Sequence, residues 1–230
     1  GEDACLAALV PLMPEAAASA QKTLLVAGAL SDVIEDQFQR IFDALGVRVK
    51  FFPPRRAGDV PEIGPGTIFL LAQPFLGDTA RALEARGARH LLAPFPIGAR
   101  GTTAWLWAAA KAFGVDQARF EAATNVAAAR AHKALVPLRA ELAGKRLFFF
   151  PDSQLEIPIA RFLANELGVR LIEVGTPYLH RQHLAAELAL LPDDVQLSEG
   201  QDVDRQLDRC RGARPDITVC GLGLANPLEA

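Results

Sequence analysis

The sequence of 230 residues predicts an α/β fold made of two consecutive domains, each a doubly wound parallel sheet. Three observations predict it: an internal repeat, strands that are apolar throughout, and regular alternation of those strands with amphipathic helical stretches. In the repeat, Lys22–Ser31 opens a segment that ends Leu45-Gly46-Val47-Arg48-Val49. Lys145–Ser153 opens one that ends Leu167-Gly168-Val169-Arg170-Leu171. The offset is 123 residues at the lysines and 122 from Ser31 and Ser153 onward. Self-similarity at a fixed spacing marks a repeated supersecondary unit, and each copy reads as strand, turn, helix, glycine stop and second strand. A run such as Ile68–Ala72 has no polar face, which suits a parallel strand covered by helices on both sides. Strands that alternate with helices give right-handed crossovers, so each domain is expected to be Rossmann-like.

The elements follow in order. The first helix of the repeat carries Ile34, Phe38, Ile41, Phe42 and Leu45 at helical spacing. Ser31 is expected to cap it, and Gly46 to stop it in the left-handed conformation. In the second copy, Ser153-Gln-Leu-Glu156 fits a capping box. Pro158 moves the expected helix start toward Ile157, because proline beyond the first turn loses a backbone bond. After the first unit come a strand at Gly66–Pro74, a helix at Asp78–Arg86, a strand at His90–Pro94 and a helix at Thr102–Phe113. A helical stretch at Asp116–Leu142 is expected to break near Pro137. The second half continues with a strand at Leu171–Gly175, a helix at Arg181–Leu191 and a strand at Val195–Ser198. A helix at Asp202–Arg211 and a strand at Ile217–Gly221 complete it. The expected domains are a leading helical segment 1–22, a domain 23–143 and a domain 144–230.

Composition narrows the function classes. Half of the residues are hydrophobic and the formal net charge is -3. A chain of this length can bury roughly 70–75% of its unfolded surface, so it needs no disulfide or metal staple. The sequence pI of ≈ 5.8 argues against a nucleic-acid binder, which usually carries a basic stripe. Cys5, Cys210 and Cys220 are odd in number, far apart and without a CxxC pair. They suggest neither a zinc site nor a secreted disulfide framework, and a reduced, cytoplasmic setting is expected. No apolar run approaches the ~18–20 residues of a membrane span. Gly1-Glu2-Asp3 lacks the basic start of a signal peptide and an initiator Met, so the chain is expected to be a piece of something longer.

Ligands of such sheets bind at the carboxyl ends of the strands. The residues expected there are Ala29–Ser31, Gln73–Phe75, Phe95–Gly98, Asp152–Ser153, Thr176–Tyr178 and Gly223–Asn226. They are apolar, small or proline-bearing, without a dense set of acids and bases. That suits a pocket for a large flat apolar ligand better than a hydrolytic site, although ordinary strand-to-helix turns need the same residue types. Gly221-Leu-Gly223-Leu-Ala-Asn226 approximates a dinucleotide fingerprint, but its third glycine is Asn and it follows a late strand. His180 and His183 could share a helix face. Without a carboxylate or thiol set they make a weak metal site, and a solvated helix start is the simpler account. No G-x-S-x-G, P-loop or H-E-x-x-H occurs.

Gly1–Leu9, Gly175-Thr-Pro-Tyr-Leu-His180, Leu197–Val203 and Arg214–Glu229 carry a specific resemblance. On these segments the chain resembles the N-subunit branch of the nitrogenase component 1 family, over essentially its whole length. The resemblance implies a subunit of three Rossmann-like domains, of which this chain holds the second and third. It implies ATP-dependent, light-independent reduction of ring D of protochlorophyllide to chlorophyllide, in (bacterio)chlorophyll biosynthesis. It also implies a heterotetramer of N and B subunits sharing a [4Fe-4S] cluster. An iron–sulfur L component that binds ATP and Mg would supply the electrons. The cluster ligands would lie upstream of Gly1 and the principal proton donor on the B subunit, so no cysteine and no catalytic residue is carried over here. Phe75, Phe95 and Tyr178 are the candidate substrate contacts, since a conjugated ring stacks on aromatic side chains. Filling a domain interface is their alternative role. Another nitrogenase-like tetrapyrrole reductase, acting on chlorophyllide, remains open. So does a different class, a non-catalytic α/β scaffold or sugar-nucleotide transferase on the same layout.

One expectation is directly measurable. Purified anaerobically and reconstituted with iron and sulfide, this chain should not take up a stoichiometric [4Fe-4S] cluster. A stable cluster absorption that disappears in Cys5→Ser would overturn the upstream placement of the ligands.

Overall fold

The apolar runs are covered on both faces. In the computed structural model, which describes residues 1–17, 21–200 and 202–221, the strands are β1 (Thr23–Ala27), β2 (Val49–Phe52), β3 (Thr67–Leu71) and β4 (Arg89–His90). They form a parallel sheet in the order β2-β1-β3-β4. Every residue of β3 and all but the first of β1 are buried. Leu24 and Val26 on one face pack with Phe38, Phe42 and Leu45 of α2 (Asp32–Leu45) and with Trp105 of α4 (Gly98–Ala112). Alternation along the strand turns Leu25 and Ala27 to the other side. A second parallel sheet holds β5 (Arg146–Phe149), β6 (Arg170–Thr176), β7 (Gln196–Glu199) and β8 (Ile217–Val219) in the order β7-β6-β5-β8. The first sheet belongs to a unit comprising Gly1–Pro96 and Thr102–Ala129. The second belongs to a unit comprising Ile97–Gly101 and the chain from Arg130 onward.

The repeat is a structural one. Leu24 pairs with Val49 in the first sheet and Leu147 with Leu171 in the second, positions related by the same offsets as the sequence repeat. Gly46 ends α2 at φ 71° and Gly168 ends α6 (Glu156–Leu167) at φ 73°, both in the left-handed region. Val47 N–H returns to the Phe42 carbonyl at 2.9 Å and Val169 N–H to the Leu163 carbonyl at 3.1 Å. Each glycine lets the chain reverse into the next strand without a Cβ penalty.

Several local expectations are corrected. The helix expected to break near Pro137 runs unbroken as α5 (Gln117–Leu142). Proline there removes the bond to the Lys133 carbonyl, and Lys133 is exposed, so water can satisfy that carbonyl. The helix expected at Arg181–Leu191 shrinks to α7 (Ala185–Leu188), with His180–Leu184 taken up by turns. The strand expected at His90–Pro94 is only Arg89–His90; one further bond, Leu91 N–H to the Phe69 carbonyl, ends the ladder before Pro94. The helix expected from Thr102 begins at Gly98, where Glu166 accepts the Ala99 N–H at 2.8 Å. Ser31 stands at the start of α2 without a side-chain capping bond. No helix among the described residues is long and apolar enough to cross a membrane.

Gly46→Val and Gly168→Val should each lower stability by about 1–2 kcal/mol, the cost of forcing a Cβ-bearing residue into the left-handed region. Equilibrium urea unfolding measures it. An unchanged midpoint in either variant would remove the equivalence of the two helix stops.

Candidate functional site

The carboxyl edge of the first sheet is filled from within the unit. Its strand order places the switch point between β1 and β3, where doubly wound sheets hold ligands. After β1 the chain passes Gly28 at φ 133°, and a Cβ there would overlap the Gln73 side chain. Gln73 Nε2 donates to the Ala29 carbonyl at 2.7 Å, and Glu2 of α1 (Glu2–Leu9) accepts the Ala29 N–H at 3.1 Å. The Asp3 carboxylate accepts the N–H groups of Asp78 and Thr79, both at 2.8 Å, at the start of α3 (Gly77–Ala85). The Asp3 carboxylate therefore occupies the α3 N-terminus, which could otherwise receive an anion. Phe75 is half-buried in the turn after β3, and Phe95 is buried after β4.

At the edge of the second sheet, Glu156 accepts the N–H groups of Asp152 and Ser153 at 2.7 and 2.6 Å. This is half of the expected capping box; no reciprocal bond runs from Ser153 to the Glu156 N–H. Tyr178, in the turn after β6, is 55% exposed and stands edge-on to His180 at 5.9 Å. His180 and His183 stack with ring centroids 3.7 Å apart, in turns and not on a helix face. The three aromatic candidates therefore fall in different units: Phe75 and Phe95 in the first, Tyr178 in the second. Gly223–Asn226, the approximate dinucleotide motif, lies outside the described residues.

Sequence reasoning missed the buried ions of the second unit. Arg161, 1% exposed, donates from Nε to Glu187 Oε2 at 2.8 Å, from Nη2 to Glu187 Oε1 at 3.1 Å and from Nη1 to the Ile97 carbonyl at 2.9 Å. Glu173 in β6 accepts from Arg209 of α8 (Val203–Ala213), from Ser198 and from Gln206. Burial pushes the Glu173 carboxyl up, but these bonds and the Arg209 charge outweigh it and hold it below the usual range. The only sequence signal was an acid within an apolar strand, Ile172-Glu173-Val174.

The described residues do not fit an iron–sulfur cluster. Cys5 is exposed on α1, whereas Cys210 is buried beside Thr218 with its thiol pushed up by burial, which disfavours the thiolate a metal needs. Among the described residues no group of three or more His, Cys, Asp or Glu could hold a metal ion. A cavity of about 140 Å³ by Arg100, His132 and Arg139 lies in the second unit, and one of about 130 Å³ by Glu35, Lys50 and Arg55 lies in the first. Both are below the ~300–1,000 Å³ of pockets for drug-sized ligands.

The profile of the family described as nitrogenase component 1 type oxidoreductase matches residues 1–226. The chain is 67% identical over 231 residues to the light-independent protochlorophyllide reductase subunit N of Rhodopseudomonas palustris (strain BisA53), covering 100% of this chain and 54% of that protein. It is 68% identical to the subunit of the same name from Rhodospirillum rubrum, covering 52% of that protein. The chain thus spans about half the length of the curated relatives it matches. A solved structure titled nitrogenase Cp1 at pH 6.5 is similar with a TM-score of 0.59 over 91% of this chain and 51% of that one. At 18% identity this is a likeness of fold.

Arg209→Ala should cost about 2 kcal/mol at neutral pH, since it strips a buried carboxylate of its charged partner. Glu173 titrates below its ordinary value in the folded chain. Its stabilisation is complete above the ordinary range near ~4.3 and is lost as the pH falls through the folded value. The stability gap between native and variant should therefore narrow in acid. Urea unfolding at neutral pH and at about pH 3 checks it, and a gap independent of pH would sink the assignment.

Proposed function

The chain belongs to the nitrogenase component 1 type oxidoreductase family, and from that membership we propose that it forms part of the catalytic component of a light-independent protochlorophyllide reductase. The observation that carries this reading is identity near two thirds along the entire chain to two subunits of that name. The reaction adds an electron pair and two protons across a ring D double bond. The electrons come from a low-potential iron–sulfur donor, with ATP hydrolysis on a partner component. The family membership supports an iron–sulfur cluster in the complete complex. With no cluster-binding set among the described residues, this chain's part is to supply wall and framework.

The partners of this reading are a B subunit in a heterotetramer, an L component that hydrolyses ATP, and the tetrapyrrole itself. Within the chain, Phe75, Phe95 and Tyr178 stand in turns that follow strands, where ligands of such sheets bind. Tyr178 offers exposed aromatic surface for a conjugated ring, Phe75 is half-buried, and Phe95 backs its turn from the interior. Burying aromatic surface against a flat macrocycle gains dispersion and excludes water without requiring charge.

The test uses the complete enzyme. Tyr178→Ala should raise the KM for protochlorophyllide up to about tenfold, the loss of one aromatic contact worth ~0.5–1.5 kcal/mol. Subunit association and the cluster signal should stay unchanged. An unaltered KM would leave Tyr178 an ordinary surface residue, and a complete complex that does not reduce protochlorophyllide would refute the reading itself.

A further inference from the structure

At the end of β5 the chain turns through Pro151–Leu155 into α6. In the order β7-β6-β5-β8 the switch point of the second sheet lies between β5 and β8. The crevice of a doubly wound sheet opens there. Three features single out this turn. Gln154 adopts φ 71°, a left-handed conformation rare for a residue with a Cβ. The turn is gripped at both flanks by glycines. A Cβ on Gly175 would come 2.9 Å from Pro151 Cδ, and one on Gly221 would come 2.7 Å from Asp152 Oδ1. Glu156, only 4% exposed, holds the turn with Oε1, while its Oε2 is buried without a hydrogen-bond partner.

Helix capping accounts for only one of the two bonds of Glu156: its acceptance of the Ser153 N–H is the back-bond of a capping box, but its acceptance of the Asp152 N–H, one residue earlier, is not. Through the two bonds Glu156 ties the turn residues Asp152 and Ser153 to the first residue of α6. Strained conformations that the surroundings over-determine gather at functional sites.

We propose that Glu156 is a positioning residue for the reaction proposed above: it fixes the β5–α6 turn, left-handed Gln154 included, as a preorganised wall for the tetrapyrrole at the carboxyl end of β5. The inference rests on that functional reading. Misplacement of a positioning element by an ångström costs up to about a hundredfold. Because Glu156 acts on a binding wall, its loss should appear in KM and spare kcat.

The experiment is steady-state reduction of protochlorophyllide by the complete complex carrying Glu156→Ala or Glu156→Gln, with assembly and thermal stability measured in parallel. Glu156→Ala should raise KM about tenfold with kcat within about twofold. Glu156→Gln, whose amide oxygen can accept the same two N–H groups, should restore the native KM. A Glu156→Ala complex with native KM would overturn the proposal, as would a Gln variant as impaired as the Ala variant. If Glu156→Ala does not assemble, Gln154→Gly and Gln154→Val decide. Glycine takes the left-handed conformation freely and should keep the native KM, whereas valine should raise it about tenfold. Equal KM values in those two variants would also overturn it. A native complex inactive on protochlorophyllide would refute the underlying functional reading instead.

Discussion

A parallel strand buried on both faces can hold a polar side chain only where a partner is supplied, and it has no direct route to its neighbour. It must satisfy its backbone within the sheet and return through a crossover that also covers a face. β1 and β3 meet this condition, with nearly every residue inaccessible. The rest of each unit follows from it. Helices need an apolar stripe, as Phe38, Phe42 and Leu45 provide. They need a stop that reverses the chain within a residue or two, as Gly46 and Gly168 provide. The carboxyl ends of the strands are left as the edge where turns, and not sheet packing, decide what is presented.

The two units treat that edge differently. In the first, the chain's own α1 supplies Glu2 and Asp3 to the N–H groups after β1 and at the start of α3, and Gln73 fills the space over Gly28. Three donations from the Arg86 guanidinium, to the carbonyls of Val10, Pro11 and Met13, secure the other end of this segment. The N-terminus of α3 is thus occupied from within the unit. In the second unit, the edge is a strained turn held by a buried carboxylate between two glycines.

Charge burial in the second unit is specific and not simply stabilising. Arg161 engages both oxygens of Glu187 and a backbone carbonyl, and Glu173 collects three donors. Removing ions from water costs several kcal/mol each, and only full pairing offsets it. These groups therefore favour one arrangement of β6, α6, α7 and α8 over near alternatives.

The amino-acid order alone settled much that depends on local pattern. The repeat, the apolar strands, the two glycine stops and the alternation of elements were legible because period and conformation are written in neighbouring residues. The resemblance in Gly175–His180 and Arg214–Glu229 fixed the family for the same reason. Other features depend on partners distant in the chain and emerge only in the folded molecule. Pro137 sits inside an unbroken helix because solvent reaches the carbonyl it orphans. α4 begins four residues early because Glu166, 67 residues away, takes the Ala99 N–H. Glu156 reads in sequence as the acid of a capping box with Ser153, and in the fold it also holds the Asp152 N–H. The i,i+3 spacing anticipates the Ser153 bond but not the Asp152 bond, nor the close approach of Gly175 and Gly221, far along the chain, to Pro151 and Asp152.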